Sequence, residues 1–309
     1  MTVAFMLLNL PMASSTTKQD TASKSKKKYW IIGAVIIVAV VYFILNNPFY
    51  SYSGSKKILV IGHAGSGFFS PINPFNPLPS NSMASIVRAL EEDGADGIEV
   101  DVQLSQDGVP VLYHDVDLES MTDIVGKIDQ LPADQVIGLE YRGGFFYEFF
   151  HDERIISLET LLQKLKTYPE LPYLHLDLRN TNPDRRDYYA QTLMAMLRKY
   201  NYPLVKMMFI SPDTEMLEAF KRVEPDATLL VDMGESFNET LETILAHELD
   251  GICANGKIIT EEQVAKAKQH DLLVVLFGGK SRSRISKMLA TEPEAIQVNH
   301  VEAMRNMLD

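Results

Sequence analysis

From Ile58 onward the chain alternates, and few folds accept that alternation. Short runs rich in β-branched and aliphatic residues recur: ILVIG (58–62), GIEVDV (97–102), YLHLDL (173–178), VKMMFI (205–210), TLLVD (228–232), GICAN (251–255), LLVVLF (272–277) and AIQVN (295–299). Amphipathic stretches lie between them. Ser82 is placed to cap a helix running to Asp93, and Ser157 one over Leu158 to Lys166; Thr214–Val223, Thr260–Gln269 and Ser281–Leu289 read the same way. Strands alternating with helices imply parallel βαβ units. Eight units is the count of an α/β (β/α)8 TIM barrel; a doubly wound open sheet is the alternative.

One run breaks the alternation. VPVLYH (109–114) follows GIEVDVQL with only SQDG between them. Four residues hold no crossover helix, so the pair must be an antiparallel hairpin arm, with a small insertion after it. With the turn centred between Gln106 and Asp107, Glu99 is expected opposite His114 and Asp101 opposite Leu112.

The segment before the barrel has a different character. Tyr29 to Leu45 is free of charged residues, with Trp30 and Tyr42 to Tyr52 as aromatics near its ends. This reads as one transmembrane helix over 29–47, an uncleaved signal anchor. Residues 1–28 are expected to be a disordered cytoplasmic tail, 48–57 a linker and 58–309 the barrel domain. The lysines of KSKKK directly precede the span, so the positive-inside bias puts the N-terminus in the cytoplasm and the barrel outside it. Residues 1–57 carry seven lysines against one aspartate, which leaves −18 on residues 58–309 out of a net charge of −12. A body this acidic repels phosphate backbones, which excludes nucleic acid as the expected partner. The single cysteine, Cys253, permits no internal disulfide.

The chemistry gathers at the strand ends. Glu99 and Asp101 are two apart in a strand, so they share a face. A strand otherwise of Ile and Val does not bury two carboxylates without a partner. A salt bridge would serve; a hard cation, Mg2+ or Ca2+, fits the oxygen donors more sharply. Asp177 and Arg179 repeat the spacing in the next strand, adding a third carboxylate and a guanidinium suited to phosphate. His63 ends the first strand and His114 the hairpin arm. Two histidines near three carboxylates at one barrel mouth suit acid–base catalysis at a phosphodiester.

On these residues the body resembles the glycerophosphodiester phosphodiesterase family. GADGIEVDVQLSQDGVPVLYHD (94–115) is similar to that family's metal-ligand and second-histidine block. GHAG stands at its His-Arg-Gly motif, PSNS (79–82) at Pro-Glu-Asn, and RIISLETLL (154–162) after its insertion, with LHLDLR (174–179) on the Glu-x-Lys strand. The resemblance covers Ile58 to about Leu308. It implies hydrolysis of a small-molecule or lipid-derived glycerophosphodiester to sn-glycerol 3-phosphate and an alcohol. It implies His63 and His114 as the acid–base pair, Glu99, Asp101 and Asp177 as metal ligands, and Arg179 and Asn81 as substrate or phosphate contacts. Phe277, Asn299 and Asp232 fall at strand ends as pocket residues.

The departures set a second reading. Ala64 replaces the motif arginine, Ser80 a glutamate, and Asp177 and Arg179 replace Glu and Lys; Asn299 stands for the usual Asp and Phe277 for a frequent Trp. A barrel that binds a phosphodiester or lipid headgroup with impaired catalysis is therefore the alternative. Two aromatic loops, GFFSPINPFNPLP (67–79) and YRGGFFYEFF (141–150), read as a lipid-facing wall or as a local minicore.

Overall fold

The computed structural model describes residues 18–47, 49–68, 78–142, 152–179 and 182–309. Most of both aromatic loops and the first seventeen residues lie outside these. The chain divides into two units, Met1–Leu45 and Asn46–Asp309.

In the second unit, eight parallel strands close into a barrel. They are β1 (Leu59–Gly62), β2 (Gly97–Leu104), β4 (Tyr173–Leu178), β5 (Met207–Ser211), β6 (Leu229–Asp232), β7 (Gly251–Asn255), β8 (Leu273–Gly278) and β9 (Ala295–Val298). β1 pairs with both β2 and β9, which closes the ring and excludes the open sheet. Strand alternation sorts the side chains into two cores. Val60, Val100, Leu176, Phe209, Val274 and Ile296 point outward and pack under the helices. Ile61, Ile210, Leu230, Cys253, Val275 and Ala295 point inward and fill the barrel. Carrying the inward parity upward brings His63, Asp101, Asp177, Asp232, Phe277 and Asn299 to the C-terminal mouth.

The helices start where their caps sit. Ser82 accepts from Ser85 N–H ahead of α2 (Met83–Val87), which widens into a π-helical turn over Arg88–Glu92. Ser157 caps α3 (Leu158–Leu165). Asp213 caps α5 (Thr214–Val223), Thr260 forms a full capping box with Gln263 at α7 (Glu261–Gln269), and Ser281 caps α8 (Arg282–Ala290). Three further helices complete the ring: α4 (Arg186–Lys199), α6 (Phe237–Ala246) and α9 (Val301–Leu308).

The hairpin arm corrects one expectation. β3 (Pro110–Leu112) is antiparallel to β2, but Val102 faces Leu112, Gln103 faces Val111 and Leu104 faces Pro110, one residue off the expected pairing. The loop has three residues, Gln106 to Gly108, closed by Gly108 N–H to Ser105 O at 3.1 Å and Ser105 N–H to Val109 O at 3.0 Å. Gly108 has φ +86°, the left-handed residue that a three-residue hairpin needs. Tyr113 N–H therefore reaches Asp101 O (3.1 Å), and His114 lies past the end of the ladder instead of facing Glu99. The segment after the arm has its own small core of Val111, Tyr113, Leu118, Ile128, Val136, Tyr141 and Ile155.

In the first unit, α1 (Lys18–Leu45) begins within the region expected to be disordered, because an apolar helix propagates readily into lysine and alanine. Among the described residues no helix is long and apolar enough to cross a membrane. The uncharged run of Tyr29 to Leu45 rises about 26 Å, at the lower limit for spanning a hydrocarbon core of ~30 Å. Its side chains are exposed, Trp30 at 80% and Val38 at 68%.

Inside the barrel His175 is fully buried, with Gln297 Nε2 3.1 Å from its Nδ1. Burial pushes this imidazole down to about 3. The neutral ring is therefore favoured by folding, and its contribution is complete above the unfolded value of ~6.5. Stability should fall as pH drops from about 6.5 towards 3, by up to roughly 1.4 kcal/mol per pH unit. Denaturant unfolding across that range should show a shallower slope in His175→Gln than in the wild type; equal slopes would refute the assignment.

Candidate active site

β1 delivers His63 to the mouth and then turns sharply. Gly67, at φ +90°, packs where a Cβ would lie 2.4 Å from the Asn299 carbonyl oxygen, so only glycine lets the loop meet β9 this closely. Ser66 N–H donates to Ser85 Oγ (2.8 Å) and Asn81 N–H to Ala64 O (2.9 Å), which fasten the turn to the start of α2. Ala64 itself is fully buried, with its N–H on Glu99 Oε2 at 2.7 Å.

Glu99, Asp101 and Asp177 converge. One oxygen from each lies within 4.8 Å of the others, as expected from the shared strand face. Arg179 lies across them: Nε and Nη2 both reach Asp101 Oδ1 at 2.9 Å, and Nη2 reaches Asp177 Oδ2 at 2.7 Å. Asn81, in the left-handed region at φ +62°, grips Asp101 twice. Its Nδ2 donates to Asp101 Oδ2 (2.8 Å) and its Oδ1 accepts from Asp101 N–H (3.0 Å). Asn81 thus orients a carboxylate through both ends of its amide, a role that the strand pattern did not reveal.

Three carboxylates facing one guanidinium leave an excess of negative charge. Burial, reinforced by Asp101 and Asp177, pushes the Glu99 carboxyl well above its ordinary range. Burial and Asp101 likewise push Asp177 up to about 8. Asp177 Oδ1 is buried without a hydrogen-bond donor. An all-oxygen donor set, a surplus of charge and an orphaned carboxylate oxygen fit a hard divalent cation. Burial works against the charge on Arg179, but Asp101, Asp177 and Glu99 outweigh it and hold the guanidinium above its usual value.

The two histidines have unlike partners. His63 Nδ1 lies 3.0 Å from Asn299 Oδ1, which also accepts Phe68 N–H at 3.3 Å. An amide oxygen can only accept, so Nδ1 carries the proton and Nε2, 3.8 Å from Glu99, keeps its lone pair. Burial pushes His63 down to about 4 and keeps it neutral near pH 7. His114 Nδ1 instead meets a carboxylate, Asp115 Oδ1, at 2.7 Å. Phe68 sits between the rings, 5.0 Å from His63 and 5.4 Å from His114, each edge-on. Phe277 stands 5.8 Å from His63. Asp232 ends β6 farther round the mouth, and burial pushes it up to about 6.

Two further residues escaped the sequence reading. Gln103, third in the inward series after Glu99 and Asp101, donates to Tyr113 O (2.8 Å) and Asp115 O (2.7 Å), clamping the chain on both sides of His114. Its i, i+2 spacing was the available signal. Asp115 follows His114 directly, and no spacing marks which neighbour of a histidine will turn back towards it.

Comparison with known proteins bears on the family and the fold. The profile described as the glycerophosphoryl diester phosphodiesterase family matches residues 70–303. A glycerophosphodiester phosphodiesterase of Caldanaerobacter subterraneus subsp. tengcongensis is 37% identical over 102 residues, 33% of this chain and 38% of that protein. Glycerophosphodiester phosphodiesterase 1 of Mus musculus is 38% identical over 82 residues, 26% of this chain and 24% of its own length. The matched stretch thus spans well under half of these curated relatives. A phosphodiesterase of Oleispira antarctica, solved in complex with the product sn-glycerol-3-phosphate, superposes with a TM-score of 0.70 at 21% identity, covering 81% of this chain and 96% of that one. A glycerophosphodiester phosphodiesterase of Parabacteroides distasonis gives 0.67 at 21% identity, covering 82% and 98%. At such identities the solved structures establish the barrel.

Replacing Asn299 by Asp puts a negative charge on the His63 Nδ1–H. The His63 titration, followed by NMR, should move upward by about one pH unit or more. An unchanged titration would refute Asn299 as the group that sets this tautomer.

Proposed function

The chain belongs to the glycerophosphoryl diester phosphodiesterase family, and from that premise we propose that it hydrolyses glycerophosphodiesters to sn-glycerol 3-phosphate and an alcohol. The observation that carries the reading is the pair of oppositely partnered histidines beside Arg179 and three converging carboxylates.

Glu99, Asp101 and Asp177 would hold Mg2+ or Ca2+. When bound, the cation supplies positive charge to the non-bridging oxygens of the phosphodiester. Asn81 keeps Asp101 turned into the site, and Ala64 N–H does the same for Glu99. Arg179 supplies a fixed, always charged fork beside them, suited to the same oxygens. With Ala64 in place of an arginine, Arg179 is the guanidinium the mouth offers to phosphate.

Hydrolysis adds water across one P–O bond. Neutral His63 accepts a proton from the attacking water at Nε2, the nitrogen left free by Asn299, as the water oxygen bonds to phosphorus and the P–O bond to the alcohol breaks. His114, whose Nδ1 meets the Asp115 carboxylate, donates a proton to the departing alkoxide oxygen. Phe68 and Phe277 keep bulk water away from the His63 ring.

We also read the apolar stretch Tyr29 to Leu45 as a membrane attachment, with the barrel on the extracytoplasmic side. Its exposed apolar side chains and the lysine cluster before it support this. Release of the full chain from membranes by alkaline carbonate would overturn the attachment, and protection of the barrel from protease added outside intact cells would overturn the orientation.

His63→Ala and His114→Ala should each lower kcat on sn-glycero-3-phosphocholine by about 10²–10⁴-fold while the fold is retained. Chelation should abolish turnover, and added Mg2+ or Ca2+ should restore it. Absence of turnover on every glycerophosphodiester, lipid-derived ones included, would leave a binding module in place of an enzyme.

A further inference from the structure

Gln103 is the third inward residue of β2, after Glu99 and Asp101, and is only 1% exposed. Its Nε2 donates to Tyr113 O (2.8 Å) and to Asp115 O (2.7 Å), so both amide hydrogens are used. Carbonyls two residues apart in an extended strand lie ~6.7 Å from one another. Converging on one nitrogen, these two must lie closer, so the chain bends at His114. The bend comes just past the ladder: β3 stops at Leu112, and Tyr113 N–H still reaches Asp101 O at 3.1 Å. The His114 side chain is 37% exposed, so packing alone does not fix its direction. One strand thus carries two of the converging carboxylates and the clamp on the second histidine.

We propose that Gln103 is a positioning residue for proton delivery to the leaving group, aiming His114 without touching the substrate. The inference rests on the hydrolysis proposed above, in which His114 protonates the departing oxygen. A general acid acts only within hydrogen-bond reach of the oxygen it protonates. A misplacement of about 1 Å can cost ~10²-fold in rate. Without Gln103 the two carbonyls lose their shared donor, the bend relaxes towards an extended chain, and the imidazole moves with it. Asp115 moves too, because its own carbonyl is one of the two, so the hydrogen-bonded His114–Asp115 pair shifts as a unit. Glu99 and Asp101 keep their orientation, since Ala64 N–H and Asn81 hold them independently of Gln103. The loss therefore falls on protonation of the alcohol and spares the carboxylates.

The test compares two substrates in the full chain supplied with Mg2+. One is sn-glycero-3-phosphocholine, whose alkoxide needs a proton to leave; the other is the 4-nitrophenyl ester of sn-glycerol 3-phosphate, whose phenolate leaves without one. Gln103→Met has similar length and lacks the donor. It should lower kcat on the choline ester by about 30-fold or more and on the nitrophenyl ester by less than about threefold, with KM for both within about threefold. Added to His114→Ala, it should lower the choline rate by less than about threefold more, since no imidazole is left to aim. A merely structural role lowers both esters together. An equal loss on the two, no loss on either, or a full additional loss in the His114→Ala background overturns the assignment. Gln103→Glu puts an acceptor where the donor stood at unchanged length, and carries the same comparison if the methionine variant does not fold. If the wild type turns over neither ester, the proposed hydrolysis fails by itself, and NMR relaxation of the His114 ring reads the clamp directly. A ring ordered in the wild type and mobile in a folded variant supports the clamp; equal order in both overturns it. A ring already mobile in the wild type overturns it whether or not any variant folds.

Discussion

The contact on which the mouth of this barrel depends is Arg179 lying across Asp101 and Asp177. Burying Glu99, Asp101 and Asp177 together concentrates like charge in a place that water barely reaches, and such groups resist ionisation unless something opposes them. One guanidinium opposes part of that charge and leaves the rest. The upward shifts of Glu99 and Asp177 are the physical expression of the remainder. A divalent cation held there would permit all three carboxylates to be charged. Stability and function pull against each other here, and Arg179 offsets part of the conflict.

Around this centre the protein uses hydrogen bonds to hold orientation more than to add stability. Asn81 takes both the main chain and the side chain of Asp101, and Gln103 takes the carbonyls on either side of His114. The histidines differ in burial and in what stands behind them. His63 faces the neutral amide of Asn299 and is kept neutral by burial; His114 faces the carboxylate of Asp115. That asymmetry gives the two imidazoles different surroundings without any difference in residue type.

Much of this was legible in the linear sequence. The alternation of strands and capped helices called for eight parallel units, and Ser82, Ser157, Thr260 and Ser281 do start their helices. The inward parity of Glu99, Asp101 and Asp177 followed from period two alone. The hairpin register did not follow, because it turned on whether Gly108 belongs to the loop or to the strand. Pattern alone leaves that open by one residue, and one residue decides what His114 faces. Asn81 was visible as a motif position, yet its grip on Asp101 depends on a left-handed backbone that no spacing announces.

By itself the sequence determined eight parallel strands alternating with helices, the face on which the polar residues gather and the identity of the groups that can move protons or hold a cation. These depend on local period, cap chemistry and residue type, all of which are properties of short stretches. The closure into a barrel was settled by the β1–β9 pairing. Only the tertiary structure decided which nitrogen of His63 carries the proton, that Arg179 spans two carboxylates, and that Gln103 reaches the carbonyls on both sides of His114. Each of these joins residues from separate strands or loops, Asn299 with His63 and Gln103 with Tyr113. Distances between such groups are set by barrel closure and packing, which no local stretch encodes.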